Sequence, residues 1–574
     1  MAMAAEKSTC NRLLVAAIDF GTTYSGYAFS FRDKPNDIHT NPNWVAGSEK
    51  LMSLKCPSSV LLKPDKTFHS FGFEAENKYS DLAEDAKHHG WYLFRRFKMI
   101  LYETTNLQLD TLIEDISGMK MPAIDIFAHS MSFLKNHLWK TLQSRVCEIL
   151  ETDIQYVITV PAIWDPKAKQ FMRRAAYKAG IPNEQISFAL EPEAASLWCQ
   201  VETDDKLSSL SEQLTKYMVI DLGGGTADIT VHQKMDDGSL KEIHKASGGA
   251  WGGNEVDKNY LQLLENIVQA AAMDKFKREE MIDYFDLLRD FETKKRSITR
   301  DNEGKITFKL PLSLCKLAEL DGIKMATKRA RLHDKTKYSW IGDKLRIEKV
   351  AAKALFTLPI EMLINHVKKM FEQPEIQDIE AILLVGGFSE CDLVTEAFEQ
   401  SFPDKRLLIL KEAGLAVLKG AVHFGHHSDA FKTRIARFTI GREILPLFEK
   451  HHDPARKTIR DGREHCKEIF KKIIEIGEEI PIGVTKEEKS IAAYASQEHA
   501  AITLFSSTNL DVTYTTESGC QKLGRLIINL PKSQSILDKR HTTYYYFGDT
   551  EIHIRVKMAK TNEEFEKWID CFST

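Results

Sequence analysis

Two glycine-rich stretches decide the fold of this chain, IDFGTTYSG at residues 18–26 and IDLGGGTADIT at residues 220–230. Each follows an apolar run typical of a buried strand, and an aspartate, Asp19 or Asp221, ends that run. The glycines and threonines let the backbone approach closely, so that N–H and hydroxyl groups face phosphate oxygens. The pair predicts a clamp for nucleotide phosphates, in which the aspartates hold a divalent cation largely through water.

A third stretch, AILLVGGFSE at residues 381–390, repeats the pattern of an apolar strand followed by paired glycines. Any one of these stretches taken alone is more often an ordinary tight turn. Their order along the chain and their shared chemistry together favour a nucleotide site.

The three stretches resemble the actin, hexokinase and heat-shock 70 kDa superfamily of ATPases, in which two related lobes close on ATP. The resemblance narrows to the heat-shock 70 kDa proteins over residues 13–424, through the segments VITVPAIWDPKAKQ (157–170), ALEPEAAS (189–196), GGNEVDKNYL (252–261) and FETKKRSIT (291–299). Further segments resemble the divergent heat-shock 70 kDa protein 12 branch of that family (the 12A and 12B type): WYLFRRFKMIL (91–101), ARFTIG (436–441) and DGREHCKEIF (461–470).

The fold class that this resemblance implies is α/β, a two-lobed actin-like ATPase with duplicated ribonuclease-H-like lobes, followed by a smaller β-rich C-terminal module. We expect a flexible N-terminus at 1–12, a nucleotide-binding domain at 13–427 whose second lobe starts near 217, and the module at 428–574. Short alternating segments such as RLIINL support the last assignment. The patterns also predict a helix in CKEIFKKIIEIG (466–477) and a terminal helix in TNEEFEKWIDCF (561–572). The module is too short to hold both a peptide-binding sandwich and a long helical lid.

Composition is that of a globular protein, with 43% apolar and 28% charged residues among 574. The net charge is only −4, so no global field favours nucleic acid. Nine scattered cysteines indicate reduced thiols. The sequence shows no signal core and no 18-residue apolar run, so we expect neither secretion nor a membrane span. These features favour the cytoplasm. The basic stretch KMATKRARLHDKTK (324–337) is typical of a solvated face; a nuclear localisation signal or a nucleic-acid contact is the alternative.

Phosphate and metal ligands follow from the spacing and the resemblance together. The expected phosphate donors are Gly21, Thr22, Thr23 and Tyr24 from the first loop and Gly223, Gly224, Gly225 and Thr226 from the second. Asp19, Asp221 and Asp228 complete an acidic ring around Mg²⁺, and the resemblance places Glu191 near the attacking water. A capping or turn aspartate is the alternative interpretation of Asp228.

A cation near the γ-phosphate is required as charge shifts during phosphoryl transfer. The resemblance makes Lys98 the candidate, with Arg95 and Arg96 close enough in sequence to compete for the role. A solvated basic cluster is the alternative interpretation of this segment.

Adenosine contacts are predicted on one helical face, because Glu292, Lys295, Arg296 and Thr299 fall at i, i+3, i+4 and i+7. Helical salt bridging alone is the alternative explanation. The other adenosine contacts that the resemblance implies come from glycines, Gly252, Gly253, Gly386 and Gly387. Glu390 stands where the chaperones carry an arginine that stacks on the base, so adenine affinity is expected to be weaker or differently built.

Coupling between lobe and module is assigned by resemblance to Pro161 and Lys169, where Lys169 replaces an arginine. Residues 424–434 lack the acidic-flanked leucine linker of ordinary chaperones. His423, His426 and His427 share a helical face without a nearby Cys or acidic ligand, so no zinc site is expected.

Three functions follow from these features. The first is an ATP-binding, chaperone-like protein whose Mg²⁺-dependent hydrolysis of ATP to ADP is coupled to lobe closure and to binding of protein clients or signalling partners through the module. The second is a nucleotide-binding adaptor with little or no turnover. A small-metabolite kinase, the third, lacks an evident catalytic base motif.

Overall fold

The computed structural model describes residues 12–46, 51–145, 148–201, 215–301, 303–319, 337–548 and 550–572. The predicted flexible N-terminus apart from Arg12, and the basic stretch 324–337 apart from Lys337, lie outside the described residues.

The first lobe is a mixed sheet covered by helices. Its strands are β1 (Leu14–Phe20), β2 (Tyr24–Phe31), β3 (His39–Thr40), β4 (Trp44–Ala46), β5 (Leu51–Ser53), β6 (Cys56–Pro57), β7 (Ser59–Leu62), β8 (Phe68–Phe71), β9 (Tyr92–Arg95), β10 (Leu112–Glu114), β11 (Lys120–Pro122), β12 (Ile154–Val160) and β13 (Ile186–Leu190). Its helices are α1 (Phe73–Glu84), α2 (Ile100–Glu103), α3 (Ala123–Arg145), α4 (Pro166–Lys178) and α5 (Glu191–Val201). The sheet order is β13-β12-β1-β2-β3, with β6 also paired to β2. Every residue of β1 is buried, because both faces of the sheet are covered.

The second lobe repeats this arrangement. Its strands are β14 (Lys216–Leu222), β15 (Ala227–Lys234), β16 (Leu240–Gly249), β17 (Lys305–Lys309), β18 (Tyr338–Ile341), β19 (Lys344–Glu348), β20 (Ala381–Val385) and β21 (Arg406–Ile409). Its helices are α6 (Gly253–Val268), α7 (Ala270–Glu279), α8 (Met281–Lys295), α9 (Leu312–Glu319), α10 (Lys349–Phe371), α11 (Asp392–Ser401) and α12 (Ala413–His426). The antiparallel pair β14–β15 with parallel β20 matches β1–β2 with β12, so the predicted duplicated, actin-like α/β fold is confirmed.

The lobes share a core in which α5 and α12 cross closely. A methyl group at Gly420 would lie 1.7 Å from the carbonyl oxygen of Ala194, so only glycine allows the crossing. Among the described helices, α10 alone is long and apolar enough to cross a membrane. Its side chains Leu363 and Val367 are buried in the second-lobe core.

The residues after α12 form the predicted β-rich region. Its strands are β22 (Phe431–Ile435), β23 (Thr439–Ile444), β24 (Lys457–Arg460), β25 (Arg463–Cys466), β26 (Ile469–Ile474), β27 (Glu479–Pro481), β28 (Thr485–Ser490), β29 (His499–Ser507), β30 (Cys520–Asn529), β31 (His541–Tyr546), β32 (His553–Met558) and β33 (Glu564–Trp568). Two four-stranded sheets, β26-β23-β29-β30 and β28-β31-β32-β33, enclose a core of their own. Strand β22 pairs with β16 and β27 with β22, so this region extends the second-lobe sheet.

Both helices predicted in this region are wrong. The segment 466–477 contains β26, where a bulge opposite Ile440 and Gly441 interrupts strict alternation and leaves apolar residues at a spacing that imitates a helix. The segment 561–572 contains β33, in which Phe565 lies opposite Val556 of β32. Tertiary pairing outweighs the local pattern in both segments.

Candidate functional site

The two glycine-rich loops meet at the boundary between the lobes. A methyl group at Gly224 would lie 1.9 Å from Oγ1 of Thr23, and one at Gly225 would lie 2.8 Å from Oγ1 of Thr22. Glycine is therefore required where the two loops touch. This contact brings together the phosphate donors predicted from residues 21–24 and 223–226.

The start of α6 supports the second loop. The amides of Gly252, Gly253 and Asn254 donate hydrogen bonds to the carbonyls of Gly225, Gly223 and Gly224, at 3.3, 3.2 and 2.7 Å. The Thr23 hydroxyl donates a 3.3 Å hydrogen bond to Oδ1 of Asn254, and so joins the first loop to the same helix. The structure thus places Gly252 and Gly253 against the second phosphate loop, and their adenosine contact stays a prediction.

Asp19, at the end of β1, has both carboxylate oxygens bonded. Oγ1 of Thr159 donates a 2.8 Å hydrogen bond to Oδ1, and the Lys55 ammonium lies 2.5 Å from Oδ2. Burial alone would raise the pKa of Asp19, but Lys55, helped by Lys98 and Thr159, holds that pKa below its ordinary value. Lys55 was not among the predicted residues, and no motif around it in the sequence marks it.

Lys98 and Glu191 form a buried ion pair, with Nζ of Lys98 2.9 Å from Oε1 of Glu191. The Lys98 ammonium also lies 5.0 Å from the ring centre of Trp164. Burial raises the pKa of Glu191, with Asp19 adding to the effect and Lys98 opposing it. Lys98 is therefore no member of a solvated basic cluster.

The two arginines that competed with Lys98 point elsewhere. Nε of Arg95 donates a 2.8 Å hydrogen bond to Glu76, and Arg96 lies 2.6 Å from Asp257. The carboxylates at the boundary between the lobes are here called the cleft carboxylates: Asp19, Glu191, Asp221 and Asp228. Of the three basic residues, Lys98 is the one that lies beside them, next to Glu191.

Asp221 and Asp228 lie opposite each other on β14 and β15. Burial raises the pKa of Asp221 well above its ordinary value, and the neighbouring carboxylates Glu191, Asp228 and Asp19 raise it further. Burial, with Glu191, raises the pKa of Asp228 to about 7. Asp228 lies within a strand and not in a turn, and its carboxylate accepts a hydrogen bond from the Ala162 amide after β12, as the alternative of a capping aspartate expects.

These acidic residues fit a hydrated magnesium ion. Oδ2 of Asp228 accepts a hydrogen bond from the Ala162 amide, while its buried Oδ1 has no hydrogen-bond partner within the described part of the chain. A bound cation favours the ionised form of the carboxylates around it. A buried oxygen without a hydrogen-bond partner, beside carboxylates whose pKa is raised, is therefore suited to a cation. Within the described ranges, no three His, Cys, Asp or Glu side chains could hold a metal unaided, so most ligands would be water and phosphate oxygens.

The predicted adenosine face is only partly realised. Helix α8 ends at Lys295, so Thr299 lies beyond the helix and its predicted place on that face is wrong. Lys295 contacts Glu292 at 2.5 Å and Asp257 at 2.8 Å, and Arg296 contacts Glu292 at 3.0 Å. These contacts agree with the alternative of salt bridging.

The glycines after β20 line a more open part of the site. Gly386 has φ +83°, and a methyl group there would lie 2.2 Å from Oδ1 of Asp221, so glycine is required at this position. Apart from its chain neighbours, no atom of the described residues lies within 4 Å of the place where Gly387 would carry a side chain, which leaves room for a planar group. Oε1 of Glu390 accepts a 3.4 Å hydrogen bond from the Gly414 amide nearby.

Of the two predicted coupling residues, Lys169 lies between the lobes and the β-rich region. Pro161 follows β12, and Lys169, on α4, lines a cavity of about 130 Å³ together with Glu242, Arg434 and Arg437. Burial, helped by the nearby arginines, lowers the pKa of Lys169 to about 8. The structure therefore brings Lys169 to the boundary where coupling is predicted.

The duplicated lobes and their facing phosphate loops define an actin-like ATPase domain. The chain belongs to the Hsp70 family, because the family model described as Hsp70 protein matches residues 17–425. Within that family it falls in the divergent heat shock 70 kDa protein 12 branch. It is 34% identical to mouse heat shock 70 kDa protein 12A, over 97% of this chain and 91% of that protein.

Two further relatives agree with this assignment. Human heat shock 70 kDa protein 12B is 32% identical, over 98% of this chain and 91% of that protein. The chaperone protein DnaK of Mycoplasmopsis synoviae (strain 53) is 22% identical, over 77% of this chain and 68% of that protein. The similarity to DnaK thus covers less of the chain than the similarity to the protein 12 branch.

Proposed function

We propose that the chain binds ATP or ADP between its lobes and hydrolyses ATP slowly with Mg²⁺, as a chaperone-like protein of the Hsp70 type. The observation that carries this proposal is the buried 2.9 Å pair of Lys98 and Glu191, which lies among the cleft carboxylates. A buried ammonium in a preorganised position stabilises developing negative charge far better than a cation in water. The contact between the two glycine-rich loops supports phosphate binding at the same place.

Each residue then has a defined role. The Lys98 ammonium faces the γ-phosphate, and the Glu191 carboxylate, whose pKa is raised, accepts a hydrogen bond from the attacking water. Backbone amides and hydroxyls of the two loops hold the phosphate oxygens. A magnesium ion held through water by Asp19, Asp221 and Asp228 would neutralise charge on the phosphates.

Nucleotide state is coupled to the β-rich region through the residues that join them. Strand β22 continues the second-lobe sheet, so a movement of that lobe is transmitted directly to the strands beyond it. The proposed partners are protein clients or signalling proteins bound by the β-rich region. The proposed location is the cytoplasm, which suits the nine scattered cysteines of the sequence, none of them in a Cys-x-x-Cys pair.

A nucleotide-binding adaptor with little or no turnover is the second candidate function. Two observations favour it. The Lys55 ammonium contacts an oxygen of Asp19 that would otherwise orient the water shell of Mg²⁺. Glu390 also lies beside the predicted adenine site, where a planar cation would stack better.

Single-turnover hydrolysis of labelled ATP with Mg²⁺, measured together with nucleotide binding, tests both candidates. The comparison is between the native chain, Asp19→Asn and Asp221→Asn. Hydrolysis by the native chain that both variants lose supports the ATPase. Binding without native turnover supports the adaptor, and no binding of ATP or ADP overturns both.

A further inference from the structure

Lys55 is a cation of the phosphate site that the predicted roles leave unexplained. Its ammonium lies 2.5 Å from Oδ2 of Asp19, and its side chain is 19% exposed. The Thr159 hydroxyl holds the other carboxylate oxygen at 2.8 Å. Asp19 therefore already has a full positive charge beside it from within the chain.

The backbone around Lys55 is fixed by the strands that shape the first loop. Lys55 directly precedes β6, which pairs with β2. Nδ2 of Asn41 donates a 2.8 Å hydrogen bond to the carbonyl of Leu54, the residue before Lys55. A methyl group at Gly26 would lie 3.2 Å from Cγ of Lys55, so the glycine leaves room for the lysine stem. Lys55 is thus built into the site.

The charges of the cleft balance around this lysine. Carboxylates repel phosphate oxygens, so affinity for a polyphosphate in an acidic cleft depends on cations close by. The Lys55 ammonium forms an ion pair with Asp19, and the Lys98 ammonium forms one with Glu191, so each of these two carboxylates has a cation of its own. The charges of Asp19 and Glu191 are therefore balanced from within the chain, without a divalent ion.

We infer that Lys55 is a built-in cation of the phosphate site, and that it lets this chain bind the phosphates of ATP or ADP with little dependence on Mg²⁺. The inference rests on the proposed nucleotide binding and specifies the form of ligand, a nucleoside di- or triphosphate free of metal. Hydrolysis can still require Mg²⁺, because binding and turnover place different demands on charge.

The test is isothermal titration of the purified full chain with ATP and with ADP, once with Mg²⁺ and once with EDTA. Lys55→Met removes the charge and keeps most of the stem, whereas Lys55→Arg keeps the charge. Lys87→Met is the matched control, because Lys87 forms an exposed pair with Asp85 in the same lobe. Thermal melting of each variant verifies that it is folded.

The native chain, Lys87→Met and Lys55→Arg are expected to lose less than about tenfold in affinity when EDTA replaces Mg²⁺. Lys55→Met is expected to lose at least about a hundredfold under the same change. If the native chain itself loses more than about a hundredfold in affinity with EDTA, the inference is overturned without any variant. The inference can therefore be tested even if Lys55→Met does not fold. An equal, small loss in Lys55→Met also overturns it.

The same titrations separate this inference from the proposed function. Binding of ATP by the native chain with Mg²⁺ but not with EDTA leaves nucleotide binding intact and overturns the role of Lys55. Absence of ATP and ADP binding under both conditions overturns nucleotide binding itself, and the role of Lys55 with it.

Discussion

The guanidinium of Arg434 forms a two-pronged ion pair with the carboxylate of Glu193, through two hydrogen bonds of 2.7 Å each. Arg434 lies on β22 and Glu193 on α5, so the pair joins the strand that follows the second lobe to the helix between the lobes. Glu193 is only 1% exposed. A third hydrogen bond, 2.8 Å from Nη1 to the Gly548 carbonyl, extends this connection to the segment that follows β31.

Breaking this pair is expected to destabilise the whole chain. Glu193→Gln leaves the Arg434 charge buried without its counter-ion, and such losses cost about 3–5 kcal/mol. The measurement is urea unfolding of the variant against the native chain. Asp85→Asn, in the exposed pair with Lys87, is the control and is expected to cost less than about 1 kcal/mol. Equal costs for the two variants would contradict a structural role for the buried pair.

Replacing Lys98 is expected to separate turnover from binding. Lys98→Met removes the buried ammonium that we propose faces the γ-phosphate, so single-turnover hydrolysis should slow by at least about a hundredfold. Affinity for ADP, which lacks that phosphate, should stay close to the native value. Lys87→Met should leave both unchanged. A native hydrolysis rate in a folded Lys98→Met would exclude the proposed role.

Glu242 makes stability depend on pH. Burial raises its pKa from 4.5 to about 8 in the folded chain. Between these values the folded state keeps a proton that the unfolded state has lost, so the free energy of unfolding falls as pH rises through the window. Glu242→Gln has no such proton to lose. Between about pH 5 and about pH 9, its free energy of unfolding should therefore rise by on the order of a few kcal/mol relative to that of the native chain.

Urea unfolding at both pH values measures this gain. Glu487→Gln is the control, because Glu487 is exposed on β28. The control variant should show no such change relative to the native chain. A stability difference between Glu242→Gln and the native chain that is the same at both pH values would argue against a buried, protonated Glu242.

Adenine affinity is expected to rise when Glu390, at the predicted adenine site, is replaced by arginine. Glu390→Arg places a planar guanidinium beside the open space at Gly387, where stacking on a base contributes about 0.5–2 kcal/mol. The dissociation constant for ATP should fall by at least about twofold, measured by titration calorimetry. Glu396→Arg on α11 makes the same charge change away from the site and should have no effect. An equal gain in both variants would indicate general electrostatics instead of stacking.

Local patterns predicted the glycine-rich loops and the strands that precede them. The glycines were predictable from these short motifs, and the structure supplies a reason for them: a side chain at Gly224 would collide with Thr23, and one at Gly386 with Asp221. The helical face that carries Glu292 and Lys295 was recognisable from its spacing, but the end of the helix was not. The face expected to reach Thr299 stops at Lys295, because helix ends depend on tertiary contacts.

The failures in the β-rich region have a different cause. A six-residue segment with paired isoleucines and lysines satisfies a helical period and a bulged strand equally well. Pairing with β23 decides in favour of β26. Strand β33 forms because it pairs with β32, the strand before it in the chain.

By itself, the sequence determined the family, the duplicated α/β lobes and the positions of the two glycine-rich loops, because these depend on local backbone geometry and on short motifs. Only the tertiary structure decided which charges meet. Lys55 reaches Asp19 because β6 pairs with β2, and Arg434 reaches Glu193 across more than two hundred residues because β22 joins the second-lobe sheet. Charge pairing depends on distances between side chains, which strand pairing and burial set only when the whole chain folds.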